Sequence, residues 1–258
     1  MSTLSVSIIQ ADLHWHDAAS NLSMMTDMVD ALEPPGDIVV LAEMFTTGFS
    51  MDAESLAEPM DGPSMQWLAD TASRTGSAVC GSLIIGDAGR YVNRFVFMHP
   101  DGSHEIYDKR HLFRLADEHE HYSAGSTRTV FDYKGFRVCP MVCYDLRFPV
   151  WSRNLNDYDL LLYVANWPSP RHNAWHTLIR ARAIENQAFV AAVNRCGVDG
   201  NDLGYKGGSA IIDYLGQELV DLGENAGGAT AVLDRNALEK FRNRFPFHVD
   251  ADRFELRD

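Results

Sequence analysis

The sequence is punctuated by short runs that leave no polar face: IVVLA at 38–42, LLLYVA at 160–165 and AFVAAV at 188–193. Each is far too short to cross a bilayer. Each is closed off by polar or turn-forming residues, so it reads as a strand buried on both faces. A sheet of such strands needs an apolar layer above and another below. That demand excludes an open, one-sided sheet and points to an α/β fold.

The segments between these runs supply the layers. Residues 18–32 carry Leu22, Met25, Met28, Val29 and Leu32 at helical spacing, and Pro34-Pro35-Gly36 ends the pattern. Residues 63–75 read as a second helix with Gly76 as its stop. Residues 173–187 read as a third, with Leu178 and Ile184 on one face and arginines on the other. Further strands are expected at 4–11, in SAVCGSLIIG, YVNRFVFMHP and SHEIYDK with hairpin-like DAGR and PDGS between them, and in GFRVCPMVC, SAIID and ATAVLD. A short helix is expected after Pro149, and a helix from about 236 followed by an arm holding Phe245 and Phe247. Residues 110–128 read as a long polar loop, a length that usually serves function. About ten strands against few helices favour two packed sheets flanked by helices. With no repeat or linker in view, residues 1–258 read as one domain.

Charge and cysteine content narrow the function classes. A net charge of −14 argues against nucleic acid or a membrane surface as partner, since both are polyanionic. The chain opens on strand-like LSVSIIQAD, with no basic stretch and apolar core of a signal peptide, so a soluble, cytoplasmic protein is expected. Cys80, Cys139, Cys143 and Cys196 are too few for a disulfide framework. Cys139 and Cys143 lack the second ligand pair of a zinc site, so reduced thiols and no metal are expected.

Three reactive side chains share one kind of position. Glu43 follows IVVLA, Lys109 follows EIYD and Cys143 follows VCPMV. Strand ends converge on one edge in α/β folds, where active sites gather. A thiol needs a base to become a nucleophile, a carboxylate supplies one, and an ammonium stabilises a developing oxyanion. Two other readings compete. His111, His119 or His121 would serve a Cys–His pair, and the same histidines with Glu118 and Glu120 would hold a metal, though without matched ligand spacing.

The segments LAEMFTTGF, YDKRHLF and VCYDLRFP resemble the three signature blocks of the nitrilase superfamily of carbon–nitrogen hydrolases. The resemblance continues through ANWP at 165–168 and RARAIENQAFVAAVNR at 180–195, and so covers most of the chain. It implies a catalytic triad of Glu43 (base and acid), Lys109 (oxyanion stabiliser) and Cys143 (nucleophile). It implies a four-layer α-β-β-α sandwich, usually paired as a homodimer, with no cofactor. CYDLRFP, ANWP and HEHYSAG are similar to the bacterial omega-amidase branch. That branch hydrolyses the terminal amide of 2-oxoglutaramate or 2-oxosuccinamate to the 2-oxo acid and ammonia. Many relatives carry a second Glu ahead of a Gly in the long loop. Glu118 and Glu120 are both candidates, and distance to Gly125 favours Glu118. Phe45, Phe113, Tyr144 and Trp167 flank the blocks and are expected to line the pocket; Arg147 supports the turn or an interface, or binds a carboxylate. The alternatives are another short amide, a nitrile or an N-carbamoyl compound as substrate. Acyl transfer to an amine and a non-catalytic, redox-sensing thiol protein are further readings.

Overall fold

The computed structural model describes residues 2–252 and 254–255; the end of the Phe- and Arg-rich arm lies outside them. The first half of the chain runs β1 (Thr3–Gln10), α1 (Ala18–Asp30), β2 (Ile38–Val40), α2 (Ala53–Leu56), α3 (Pro63–Thr75), β3 (Ala78–Asp87), β4 (Arg90–Met98), β5 (His104–Asp108) and α4 (Glu118–His121). The second runs β6 (Phe131–Tyr133), β7 (Phe136–Val142), β8 (Leu160–Ala165), α5 (His172–Asn186), β9 (Phe189–Asn194), β10 (Cys196–Val198) and β11 (Gly204–Lys206). It closes with β12 (Ala210–Ile212), β13 (Glu218–Asp221), β14 (Gly227–Asp234) and α6 (Arg235–Arg244).

Two six-stranded sheets form the centre, ordered β14-β1-β2-β3-β4-β5 and β13-β12-β9-β8-β7-β6; β10 and β11 make a separate hairpin. Alternation explains the layers. Leu4, Val6, Ile8, Ile38, Val40, Phe95 and Phe97 leave one face of the first sheet and join Phe136, Val138 and Leu160 of the second. Ile9, Val39, Leu41, Val79 and Val96 leave its other face and meet Met25 and Val29 of α1 and Met65, Leu68 and Ala72 of α3. Trp175, Ile179 and Ala183 of α5 pack on the second sheet. The result is the four-layer α-β-β-α sandwich that the resemblance implied, with the two packed sheets that the count of strands favoured.

Local chemistry sets the helix ends. Asp17 caps α1 by accepting from Ser20 N at 3.0 Å. Pro63 opens α3, and Gly76, left-handed at φ 69°, closes it. Three expectations need correction. No helix follows Pro149; the chain instead makes a tight 3-10 turn over Cys143–Arg147, immediately before it, where Asp145 draws the backbone back on itself. In α5 the buried stripe is Trp175, Ile179, Arg182, Ala183 and Asn186, while Ile184 is exposed. Arg182 is tolerated inside because its guanidinium donates to the Leu146 carbonyl and the Glu185 carboxylate. Finally, the segment 110–128 is not wholly irregular: it contains a 3-10 turn at Arg114–Ala116 and then α4.

Strand direction positions the chemistry. β2 and β3 are parallel, and β5 returns to that direction after two antiparallel steps. In the other sheet β7, β8 and β9 are parallel. The C-terminal ends of β2 and β5 carry Glu43 and Lys109, and those of β7 and β8 carry Cys143 and Asn166. These four residues meet at one edge, between the sheets.

Candidate active site

β7 ends abruptly at Cys143, whose φ of 44° lies in the left-handed region. For an L-residue with a Cβ that conformation costs about 1–2 kcal/mol, so neighbouring contacts must hold it. Asp145 is the anchor. Fully buried, it accepts from Val142 N (3.0 Å) and Tyr107 Oη (2.7 Å) on one oxygen, and from His111 N (3.0 Å) and His111 Nδ1 (2.7 Å) on the other. Trp151 Nε1 in turn donates to Tyr107 Oη at 2.9 Å. The thiol's turn is thereby tied to β5, the strand that presents Lys109. Asp145 was visible within CYDLRFP, but nothing local betrays that its carboxylate turns inward.

Glu43 is fully buried. Its Oε1 accepts from Lys109 Nζ at 2.9 Å and Asn93 Nδ2 at 2.8 Å, and its Oε2 from Asn166 N at 2.8 Å. Asn166 Nδ2 also donates to the Glu43 carbonyl at 2.6 Å. Lys109 Nζ bridges to Glu118, at 2.8 and 2.9 Å to its two oxygens, and lies 5.1 Å from the centre of the Phe49 ring. Phe113 N donates to Glu118 as well, at 2.5 Å. Of the two loop glutamates, Glu118 is the one buried on Lys109; the Glu120 side chain is 68% exposed and pairs with His119. Gly125 closes the loop onto the same spot, donating to the Lys109 carbonyl at 2.9 Å. A Cβ there would sit 2.1 Å from the Asp108 carbonyl oxygen, so only glycine allows the approach. Asn93 and Asn166 were not singled out from sequence, because their partners are distant in the chain.

Charge explains the resting state. Burial alone would lower the Lys109 pKa, but the adjacent Glu118 and Glu43 carboxylates outweigh it and the ammonium is held well above its ordinary value. Burial raises Glu118, with Lys109 opposing. Burial, reinforced by the Glu43 charge and only partly opposed by Lys109, also pushes the Cys143 thiol well up. Both effects favour the neutral thiol over the thiolate in the free site. His111 does not fill the role of its base: it is bound to Asp145 and stacked 3.8 Å from Phe148. Among the described residues no three His, Cys, Asp or Glu side chains group as metal ligands.

A cavity of about 470 Å³ opens above the thiol. Lys109, Cys143 and Asn166 form part of its lining, with Phe49, Phe113, Tyr144 and Trp167 as aromatic walls and Arg147 and Arg171 beside them. Phe45 is not among the lining residues. Met44, at φ 43°, breaks the strand alternation, and the Phe45 ring turns into the core, 5.8 Å from Trp67.

The carbon-nitrogen hydrolase family model matches residues 5–243. The chain belongs to the carbon–nitrogen hydrolase family. It is 47% identical to the omega-amidase YafV of Yersinia enterocolitica, over 99% of this chain and 100% of that one. It is 34% identical to the 2-oxoglutaramate amidase of Bacillus subtilis, over 95% and 96% of the two chains. Among solved structures, XC1258 of Xanthomonas campestris, described as a CN-hydrolase superfamily protein with an arsenic adduct in its active site, superposes with a TM-score of 0.97 at 46% identity, covering 99% of this chain and 100% of that one. As a carbon–nitrogen hydrolase the protein is an amidase-type enzyme. The walls of its pocket are organised rather than merely apolar. Phe113 and Tyr144 meet edge to face at 5.0 Å, and Trp167 Nε1 donates to the Arg171 carbonyl at 2.8 Å. Among the described residues no helix is long and apolar enough to cross a membrane.

Proposed function

We propose that this hydrolase is an omega-amidase that releases ammonia from the terminal amide of 2-oxoglutaramate or 2-oxosuccinamate. The observation that carries the chemistry is the buried Glu43–Lys109–Glu118 cluster beside the buried, free thiol of Cys143. The full-length similarity to omega-amidase YafV supports the choice of substrate.

In this reading Glu43 takes the Cys143 proton and Sγ attacks the amide carbon. Lys109 Nζ and the Tyr144 N–H, which lies in the first turn after β7 where helical N–H groups lack an internal acceptor, hold the oxyanion. The C–N bond breaks as Glu43 returns the proton to the leaving nitrogen, leaving a thioester and ammonia. Water, deprotonated by Glu43, attacks the thioester; the carboxylate leaves and the thiol is restored. Glu118 keeps Lys109 in place and carries no proton in this scheme.

An ammonia-release assay over 2-oxoglutaramate, 2-oxosuccinamate, glutamine, asparagine, a nitrile and an N-carbamoyl amino acid tests the assignment. Turnover of both oxo-acid amides above the others is expected. Turnover of glutamine without either oxo-acid amide would overturn it. Exposed Phe245 and Val249 on the C-terminal arm support a homodimer, which sedimentation velocity checks.

A further inference from the structure

Two guanidiniums line the pocket without an anion of their own. Among the described residues neither Arg147 nor Arg171 has a side-chain hydrogen bond or an ion pair; each is instead laid on an aromatic ring. Arg147 Cζ lies 4.8 Å from the Trp167 ring centre, and Arg171 Cζ 5.1 Å from that of Phe113. Trp167 serves both, since its ring supports Arg147 and its Nε1 holds the Arg171 carbonyl. Buried arginines elsewhere behave differently: Arg94 sits on Asp87 and Asp108, and Arg242 on Asp159. Stacking fixes the plane of a guanidinium and leaves its N–H fork free, the arrangement suited to a planar two-oxygen anion.

The carboxylates beside the same pocket hold other donors and close on neither arginine. Asp199 lines it, but one oxygen accepts from Asn201 N (2.9 Å) and Leu203 N (3.0 Å) and the other from Tyr205 Oη (2.9 Å). Glu43 and Glu118 are held by Lys109. The pocket thus offers the forks of two guanidiniums as donors for a carboxylate of the substrate.

We propose that Arg171, paired with Arg147, forms the subsite for the substrate carboxylate, and that this pair selects amides that carry a carboxylate over neutral amides. The subsite stands on the pocket itself, apart from the omega-amidase reading.

The test compares the full-length wild type with Arg171→Met and Arg171→Lys on 2-oxoglutaramate, glutamine, succinamate and butyramide. The readout is the kcat/KM of each acid relative to neutral butyramide. Loss of a charge-assisted fork lowers the succinamate-to-butyramide ratio about 10- to 100-fold in Arg171→Met, mainly through KM. Arg171→Lys, which keeps the charge without the planar fork, recovers part of it. In a Cys143→Ala background, calorimetry should show succinamate binding weakened to a similar extent by Arg171→Met. A ratio within twofold of wild type, an equal loss on both substrates, or unchanged binding overturns the subsite. A wild type that takes succinamate but ignores 2-oxoglutaramate refutes the omega-amidase reading and leaves the arginine subsite judged on succinamate.

Discussion

Replacing Glu118 by Gln changes one atom type in a cluster whose bonding is fully specified. Three donors reach the Glu118 carboxylate: Lys109 Nζ on both oxygens, at 2.8 and 2.9 Å, and Phe113 N at 2.5 Å. A Gln offers one acceptor oxygen, so its NH2 faces the ammonium whichever way it is turned, and the Phe113 N–H as well when it replaces Oε2, donor against donor. At least one charge-assisted hydrogen bond is lost, about 1.5–3 kcal/mol. Lys109 keeps Glu43 at 2.9 Å, so the loss stays below the roughly 3–5 kcal/mol of a fully broken buried pair. At about 2–4 °C per kcal/mol for a chain of this size, Tm should fall by roughly 3–12 °C. Catalysis suffers separately. With Glu118 neutral the whole ammonium charge bears on Glu43, the carboxylate assigned to accept the thiol proton, and Lys109 loses one of its two fixed supports. We expect kcat for ammonia release to drop about 100-fold, the scale of a displaced acid–base group. Thermal unfolding and steady-state assays on the same preparation measure both effects. Glu120→Gln, at an exposed side chain, is the control and should change neither. A Glu118→Gln protein with Tm within 1 °C and kcat within twofold of wild type, by rough measure, would refute the reasoning.

Cys143→Ala should lose at least about 10⁴-fold in turnover while melting close to wild type, because the strained backbone is held by Asp145 rather than by the thiol. Wild-type ammonia release from that variant would sink the mechanism. Asp145→Asn replaces two acceptor oxygens serving four donors by one, and should cost about 3–5 kcal/mol of stability together with a large fall in kcat. A stable, fully active variant would show that the turn holds itself. Burial raises the thiols of Cys80 and Cys143, and that of Cys139 up to about 12, with Arg128 opposing the last. Unfolded thiols ionise near about 8.5, so above that pH the unfolded chain sheds protons that the folded chain keeps. Stability is therefore fully present below about pH 8.5 and declines as pH rises toward about 12. Urea midpoints between roughly pH 8 and 10.5 check the sign, and a rising or flat profile contradicts it.

Much of the fold is legible in the chain because it depends on local period. IVVLA, LLLYVA and AFVAAV are strands in the structure because such runs have no face to give to water, and α1 and α3 appear where their apolar spacing and stop signals put them. The same logic placed Glu43, Lys109 and Cys143 at strand ends. It failed where backbone geometry breaks the period. Met44 at positive φ turns Phe45 away from the pocket, and the chain makes its helical turn at Cys143–Arg147, before Pro149, rather than after it. In α5 it misassigned the buried face, since Arg182 and Asn186 hydrogen-bond to partners that periodicity does not register.

Sequence alone determined two packed sheets flanked by helices and the identity of a thiol, a carboxylate and an ammonium at strand ends, because apolar period and stop signals are properties of short segments. Tertiary structure decided which charges share one cavity. Asn166 reaches Glu43 across 123 residues, and Lys109 meets Glu43 across 66. Glu118 rather than Glu120 lies in the hole because Gly125 lets the loop close on Asp108. Arg171 is free for a ligand because its neighbours are rings rather than carboxylates. Buried electrostatics depend on what stands within a few ångströms, and only the packing of two distant sheets sets that.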